Sequence, residues 1–273
     1  MSRDETRSVA EHFSRAERVS DFHDTAGSMN EARRDLVRRR VLANVARGSR
    51  ILEIGCGAGT LTAELAAAGM RCSAIDISPA MVRSARKLAG NSVEVTEADV
   101  FTYAAPTKFA AVIANGVAPY YRDQSRFLRR LGEFIEPGGL VAVTHRNVLF
   151  NLFALNRGTI DFVVDHLLAE YSPTARAALS AGLVAIPGLA EERRRSSSDE
   201  LYRGSENPLT VAALYEGCGL RIREIRYCFL HAAPPRLPPI PGSPTGAELQ
   251  HRYENRWEGM FLGSQFLVIA DRR

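Results

Sequence analysis

The sequence predicts an α/β fold in which helices alternate with the strands of a parallel sheet. The first sign is Arg50–Ile54, a β-prone run that stops at a glycine, after which glycines alternate from Gly55 to Gly59 and a helical pattern begins. Glycine accepts a positive φ and leaves the backbone bare, so a ligand can approach this turn. The second sign is Phe109–Ala114, almost wholly apolar, as a central parallel strand must be. Doubly wound folds bind nucleotide-like cofactors at such a turn after their first strand.

Apolar spacing places the other elements of the first half. A second short strand over 72–75 ends at Asp76, and Ser78 and Pro79 then supply the N-cap and first position of a helix. The remaining predicted elements are helices near 9–19, over 30–46, from 60 to about 69 and over 127–134, and strands over 93–95, 109–114 and 140–144.

The second half of the sequence is predicted to contain a long insertion and two more strands. The insertion covers 148–207, and it is apolar and helical at first and polar over 191–198. The predicted elements that follow are a helix over 209–215, a strand over 220–231, a proline-rich loop over 232–246, a polar stretch up to 258 and a last strand over 260–270.

The composition is that of a globular protein and excludes several classes. With 273 residues, the chain is long enough for one large α/β domain with insertions. Its net charge of +4 comes from arginine, and the two arginine runs, 38–40 and 193–195, are typical of solvated helix faces rather than of a nucleic-acid site. Four cysteines without C-x-x-C spacing disfavour zinc and fit a reduced, cytoplasmic compartment. The sequence shows no signal-peptide core or bilayer-spanning run, so we expect a soluble protein.

The glycine spacing disfavours a dinucleotide cofactor. A dinucleotide fingerprint, G-x-G-x-x-G, would place a glycine where Thr60 stands. The acidic Glu53 at the strand end would repel a pyrophosphate, whereas it could meet an ammonium group directly or through water. Asp76, roughly twenty residues after the glycines, fits a carboxylate that accepts both ribose hydroxyls. The alternative role of Asp76 is to cap the helix that follows it.

The pattern E-x-G-x-G-x-G from Glu53 to Gly59 resembles motif I of the class I S-adenosylmethionine (SAM)-dependent methyltransferases. The resemblance continues in order from Arg50 to His145. It implies a Rossmann-like, seven-stranded, mostly parallel sheet with an antiparallel last strand, helices on both faces and a helical insertion after the fifth strand. It also implies SAM as the cofactor and S-adenosylhomocysteine (SAH) as the product.

The resemblance assigns the cofactor site residue by residue. Asp99 matches a family position that hydrogen-bonds the adenine amino group, and the backbone of Val100 would serve the ring. Taken alone, Asp99 would be an ordinary turn residue. The predicted cofactor set is Glu53, Gly55, Cys56, Gly57, Gly59, Asp76, Ile77, Asp99, Val100 and Asn115.

The predicted acceptor side is the carboxyl rim of the sheet. His145 follows the fifth strand and is the predicted general base, with capping of the strand or bonding to the insertion as its alternative roles. Arg146, Tyr120 and Tyr121 are the predicted substrate contacts, the tyrosines being otherwise pocket wall. Further candidates, each with a structural alternative, are His166, Glu206, His231 and Trp257. No metal site is predicted.

Together these features predict one methyltransferase domain over 1–273. Its expected parts are an N-terminal cap (1–46), a SAM-binding core (47–147), an acceptor-side insertion (148–207) and a C-terminal helix with a β-hairpin (208–273). We expect a small-molecule acceptor, methylated at oxygen in specialised-metabolite or sugar biosynthesis, because insertions that roof the site suit a small molecule shut away from water.

Several alternatives stay open. They are methyl transfer to nitrogen or carbon, an RNA or protein methyltransferase, and a non-catalytic SAM-binding module. We expect neither a membrane nor a nucleic-acid partner. The sequence leaves the oligomeric state open, a homodimer included.

Overall fold

The computed structural model describes residues 3–14, 28–189, 202–235, 237 and 241–272, and a seven-stranded sheet lies at its centre. The strands are β1 Arg50–Ile54, β2 Arg71–Asp76, β3 Glu94–Glu97, β4 Phe109–Ala114, β5 Ile135–Arg146, β6 Leu220–Leu230 and β7 Gly263–Arg272. Their spatial order is β3-β2-β1-β4-β5-β7-β6. Strands β1 to β5 run parallel, and β7 is antiparallel to both of its neighbours. The predicted Rossmann-like fold with an antiparallel last strand is confirmed.

Helices cover the sheet, and their starts follow local sequence signals. The helix after β2 begins as predicted, since the Ser78 hydroxyl accepts a hydrogen bond from the Met81 amide at 3.3 Å and Pro79 opens the first turn. None of the helices described is both long and apolar enough to cross a membrane. The described α-helices are α1 Arg3–Ser14, α2 Met29–Leu42, α3 Thr60–Ala67, α4 Pro79–Ala89, α5 Gln124–Phe134, α6 Asn151–Ala154, α7 Arg157–Phe162, α8 Pro173–Val184, α9 Val211–Glu216, α10 Gly246–Tyr253 and α11 Gly259–Leu262.

The sheet is buried on both faces, which is why its central strands are continuously apolar. In β4, Val112 belongs to the core that α5 and α9 cover, whereas Ala111 and Ile113 belong to the core on the opposite face. All three are fully buried. The order of strands reverses between β1 and β4, and ligands of such sheets bind at the carboxyl ends of the strands beside that point.

The structure differs from the predicted elements at both ends of the chain. The first helix is Arg3–Ser14 rather than 9–19, and residues 15–19 lie outside the described part. The polar stretch before 258 contains α10, which begins with a reciprocal cap between Thr245 and Glu248. The last strand begins three residues later than predicted because α11 precedes it.

The insertion after β5 is helical in its first part, as predicted, and it returns to the rim of the sheet. The predicted polar stretch 191–198 lies outside the described residues. At the end of the insertion, the Gly204 amide donates to the Pro119 carbonyl at 2.7 Å and the Glu206 amide donates to the Arg146 carbonyl at 2.8 Å. Segment 202–206 is therefore fixed across the carboxyl ends of β4 and β5.

Candidate active site

A cavity of about 920 Å³ opens at the carboxyl ends of β1, β2, β4 and β5. Helices α1 and α2, the insertion and segment 202–206 supply its walls. Of the predicted site residues, the ones that line it are Glu53, Gly55, Cys56, Gly57, Asp76, Ile77, Val100, Asn115, Tyr120, Tyr121 and Arg146. The predicted residues Gly59, Asp99 and His145 are absent from the cavity wall, which the described residues form.

The three glycines after β1 have separate physical roles. All have positive φ, at 65° for Gly55, 54° for Gly57 and 84° for Gly59. A Cβ on Gly55 would lie 2.4 Å from a methyl carbon of Val117, and one on Gly59 would lie 2.7 Å from the Cβ of Ala85. A Cβ on Gly57 would meet nothing within 4 Å. The first and third glycines thus permit close packing, and Gly57 presents bare backbone to the cavity.

The carboxylate of Asp76 ties the glycine loop to the start of α4. One of its oxygens accepts from the Gly57 amide and the other from the Ser78 amide, both at 2.9 Å. The ribose-binding and helix-capping roles predicted for Asp76 are compatible, because a carboxylate has about four acceptor positions and these amides do not fill all of them. Burial is the largest influence on its pKa, which it raises despite these amide donors.

Glu53 is an acid buried at the end of β1. Burial raises the pKa of Glu53 from 4.5 to about 8, so its carboxyl group is mostly protonated at neutral pH. The Thr62 hydroxyl donates to one of its oxygens. A cation that entered the cavity would favour the ionised carboxylate.

Several buried polar atoms in the cavity wall have no hydrogen-bond partner among the residues described. Two of them, at the cofactor side, are the side-chain oxygen of Asn115 and the Nε of Arg33. The other guanidinium nitrogens of Arg33 donate to Gln265 at 2.9 Å and to Asn30 at 3.2 Å, and no described carboxylate pairs with it. Unsatisfied buried groups are costly, so these two atoms indicate a ligand with both a donor and an acceptor. Arg33 was not among the predicted site residues, because it lies in an arginine-rich helix and no local pattern distinguishes it from its neighbours.

Aromatic rings contribute to the cavity wall after the end of β4. Tyr121 is buried and stacks on Phe127, with ring centroids 4.2 Å apart. Tyr120 meets Phe13 of α1 edge to face at 5.4 Å. The carboxylate of Asp99 accepts from the Phe101 amide at 2.8 Å. The adenine contact of Asp99 stays a prediction, while its neighbour Val100 does line the cavity.

His145 lies in the sheet core. Its Nε2 is 2.7 Å from the Tyr215 hydroxyl, its ring stacks on Phe266 at 5.4 Å, and its side chain is 1% exposed. Burial lowers the pKa of His145 from 6.5 to about 3. The base role stays a prediction. The hydrogen bond of His145 goes to Tyr215 of α9, which lies outside the insertion that was its predicted alternative partner.

The other candidate acceptor residues stand away from the cavity wall. His166 stacks on Phe162 at 5.2 Å, and His231 packs against Phe150 at 4.7 Å. Trp257 is 69% exposed. Glu206 contributes its backbone to the rim, and burial raises the pKa of its carboxyl group.

Comparison with known proteins agrees with this fold. Residues 51–139 match the family model described as "Methyltransferase domain". A ubiquinone biosynthesis O-methyltransferase of Methylocella silvestris is 36% identical over 124 residues, 44% of this chain and 48% of that protein. An uncharacterized methyltransferase of Mycobacterium tuberculosis is 35% identical over 95 residues, 34% of this chain and 48% of that protein. The chain thus spans about half the length of these curated relatives.

Solved structures show the same architecture at low sequence identity. Magnesium protoporphyrin IX methyltransferase from Synechocystis PCC 6803, with bound SAH, superimposes with a TM-score of 0.58 at 15% identity, covering 99% of this chain and all (100%) of that one. A SAM-dependent methyltransferase from Mesorhizobium loti gives 0.57 at 16% identity, covering 90% and 100%. The strand order, the glycine loop after β1 and the acid at the end of β2 are the features of the class I SAM-dependent methyltransferase fold, which the chain shares with these structures. Residues 51–139 are similar to the methyltransferase domain family.

Alanine at two of the glycines should separate packing from ligand binding. We expect Gly59→Ala to lower the free energy of unfolding by about 2 kcal/mol, because the new Cβ would overlap Ala85 at a positive φ. Gly57→Ala should cost less stability but weaken SAH binding about tenfold or more, since its Cβ would enter the cavity. Urea denaturation and calorimetric titration measure the two effects. Equal SAH affinity of Gly57→Ala and wild type would contradict the assignment.

Replacement of His145 should change how stability depends on pH. The folded-state pKa near 3 lies below the ordinary 6.5, so the stability linked to this group is fully present above pH 6.5 and is lost as pH falls toward 3. We expect His145→Gln to flatten the decline in unfolding free energy between pH 7 and pH 4. Urea denaturation across that range measures it, with the exposed His251→Gln as control. Parallel profiles for wild type and His145→Gln would refute the prediction.

Proposed function

We propose that the protein transfers the methyl group of SAM to the oxygen of a small organic acceptor, in specialised-metabolite or sugar biosynthesis. The observation that carries the proposal is the single cavity that joins the glycine loop to the insertion. Its volume of about 920 Å³ is at the upper end of the range for small-ligand pockets, so a cofactor and a second small molecule fit. The relatives named as ubiquinone biosynthesis O-methyltransferases support oxygen as the methylated atom.

The cavity residues match the chemical groups of SAM. The free acceptor positions of Asp76 suit the ribose hydroxyls, and the bare backbone at Gly57 gives the nucleoside room. Glu53 suits the ammonium group of the methionine end, and the buried guanidinium of Arg33 suits its carboxylate. Val100 and Tyr121 would flank the adenine ring.

The chain contributes position and exclusion of water to the reaction. SAM, when bound, supplies an activated methyl group for in-line displacement. Such a displacement depends on a near-attack geometry and a desolvated site. The insertion, α1 and the rim segment 202–206 supply walls of the cavity, and these would limit the access of water to a bound acceptor. Because His145 bonds to Tyr215 inside the core, the proposal assigns it no proton transfer.

A nucleic-acid acceptor is less well supported. The arginines of the run 38–40 are each paired with an acid: Arg38 with Asp35 of the same helix at 2.5 Å, Arg39 with Glu254 at 3.0 Å and Arg40 with Glu224 of β6 at 2.5 Å. The run 193–195 lies outside the described residues. A groove for a nucleic acid would need unpaired basic groups together with stacking aromatics.

Binding of SAH to Asp76 variants tests the cofactor half of the proposal. We expect Asp76→Ala to weaken SAH binding about tenfold or more, because each charge-assisted hydrogen bond contributes roughly 1.5–3 kcal/mol. Isothermal titration calorimetry measures it. Asp123→Ala is the matched control, since Asp123 also caps a helix, by accepting from the Arg126 amide at 2.8 Å, outside this cavity. Failure of the wild type to bind SAH would overturn the proposal.

The affinity for SAH should rise with pH in a manner that depends on Glu53. The pKa of Glu53 is near 8 in the free protein, and Glu53 must ionise to pair with the ammonium group of SAH. The free energy needed to ionise it decreases as pH rises toward 8, so binding becomes more favourable. We expect SAH affinity to increase between pH 6 and pH 8, by at most about tenfold per pH unit. Calorimetric titrations at pH 6, 7 and 8 measure the effect. Glu53→Gln should flatten the profile, and an unchanged slope in this variant would place the titrating group elsewhere.

A further inference from the structure

The rim segment 202–206 holds an arginine at the cavity wall. Gly204 anchors the segment to Pro119, in the turn that follows β4, and Glu206 anchors it to Arg146 of β5, by backbone hydrogen bonds of 2.7 and 2.8 Å. Arg203 directly precedes Gly204 in the chain, and both Arg203 and Ser205 line the cavity. Arg146, on the strand to which the segment is tied, lines the same cavity. The fold thus brings Arg203 from a distant part of the sequence to the acceptor side.

Arg203 has no counter-charge in the described part of the chain. Its Nε is buried and has no hydrogen-bond partner, and its guanidinium lies 5.9 Å from the centroid of the Tyr120 ring. Another arginine of the same cavity, Arg157, is paired with Asp161 at 2.9 Å. A buried donor without an acceptor is costly, so the position of Arg203 is best explained by an acceptor group that a ligand brings.

The acidic residues of the cavity leave the acceptor side positive. Glu53 and Asp76 belong to the glycine-loop end, and the third lining acid, Asp161, is already paired with Arg157. A guanidinium presents a planar fork of donors that matches a carboxylate or phosphate in two parallel hydrogen bonds. Arg203 is therefore suited to an oxyanion.

Aromatic side chains elsewhere in the cavity wall, together with Tyr120 beside Arg203, indicate the chemistry of the rest of the ligand. Tyr120, Phe150 and Phe229 all line the cavity. Phe229 has a φ of 57°, a left-handed conformation that is strained for a bulky residue and that the surrounding strand pairing must maintain. Such rings accommodate a flat apolar body.

Building on the proposed function, we propose that the methyl acceptor is an organic anion: a flat apolar body that lies along Tyr120 and carries a carboxylate or phosphate bound by Arg203. The oxyanion orients the acceptor and is distinct from the cofactor carboxylate assigned to Arg33. Arg203 acts as a specificity-determining residue, since it recognises the acceptor without taking part in the displacement.

Calorimetric titration with three probes of one shape tests the proposal. The probes are 2-naphthoate, 2-naphthyl phosphate and the neutral 2-naphthamide, each added to the full chain saturated with SAH. We expect one or both anions to bind about tenfold or more tightly than the amide. Arg203→Gln should abolish that preference, and Arg203→Lys should retain only part of it because a lysine lacks the fork. The control is Arg126→Gln, since Arg126 stacks on Phe101 at 4.2 Å outside the cavity and should not affect the preference.

The outcomes separate this inference from the proposed function. SAH affinity is measured first for every variant, and thermal unfolding verifies that each is folded. If the wild type binds SAH but shows no preference for either anion, or if Arg203→Gln retains the preference, the anionic acceptor is overturned and the methyltransferase proposal stands. If SAH itself fails to bind, the proposed function fails. Preference for only one anion identifies the oxyanion as carboxylate or phosphate and supports the inference.

Discussion

The hydrogen bonds of the Asp76 carboxylate are the constraint on which the site depends. They join the amide of Gly57 to that of Ser78, so the end of β2 fixes both the loop after β1 and the first turn of α4. The loop can lie this close to its neighbours only because positions 55 and 59 are glycines. A Cβ at Gly55 or Gly59 would overlap adjacent residues. One buried acid thereby holds the glycine loop against the start of α4, at the edge of the cavity.

Local sequence spacing predicted the glycine-loop half of the molecule, where the structure depends on residues close to one another in the chain. Three features lie within a few residues of a strand end: the glycine turn, the acid at position 76 and the cap formed by Ser78. At such positions the residue types themselves indicate a turn or a helix start. The cap of α10 is a local signal of the same kind, because Thr245 and Glu248 form a capping box. The helix was nevertheless not predicted, since the polar composition of the stretch indicated a loop.

Other residues of the site depend on contacts across the chain. His145 stands near the carboxyl end of β5, but it continues the row of Val141 and Val143 on the face that meets Tyr215, a residue 70 positions away. Sequence alone does not reveal whether a residue at a strand end points along the rim or into a face. For the same reason Arg33 and Arg203 were missed, because each reaches the cavity through distant partners.

The place of β7 in the sheet has a consequence for how the two halves of the molecule assemble. Although β7 follows β6 in the chain, it lies between β5 and β6, so neither of those strands has its full set of neighbours until residues 263–272 have been synthesised. Gln265 of this strand also holds the guanidinium of Arg33. During translation the glycine-loop half can therefore form early, whereas the opposite edge of the sheet stays open until late and relies on long-range pairing, which is intrinsically slow.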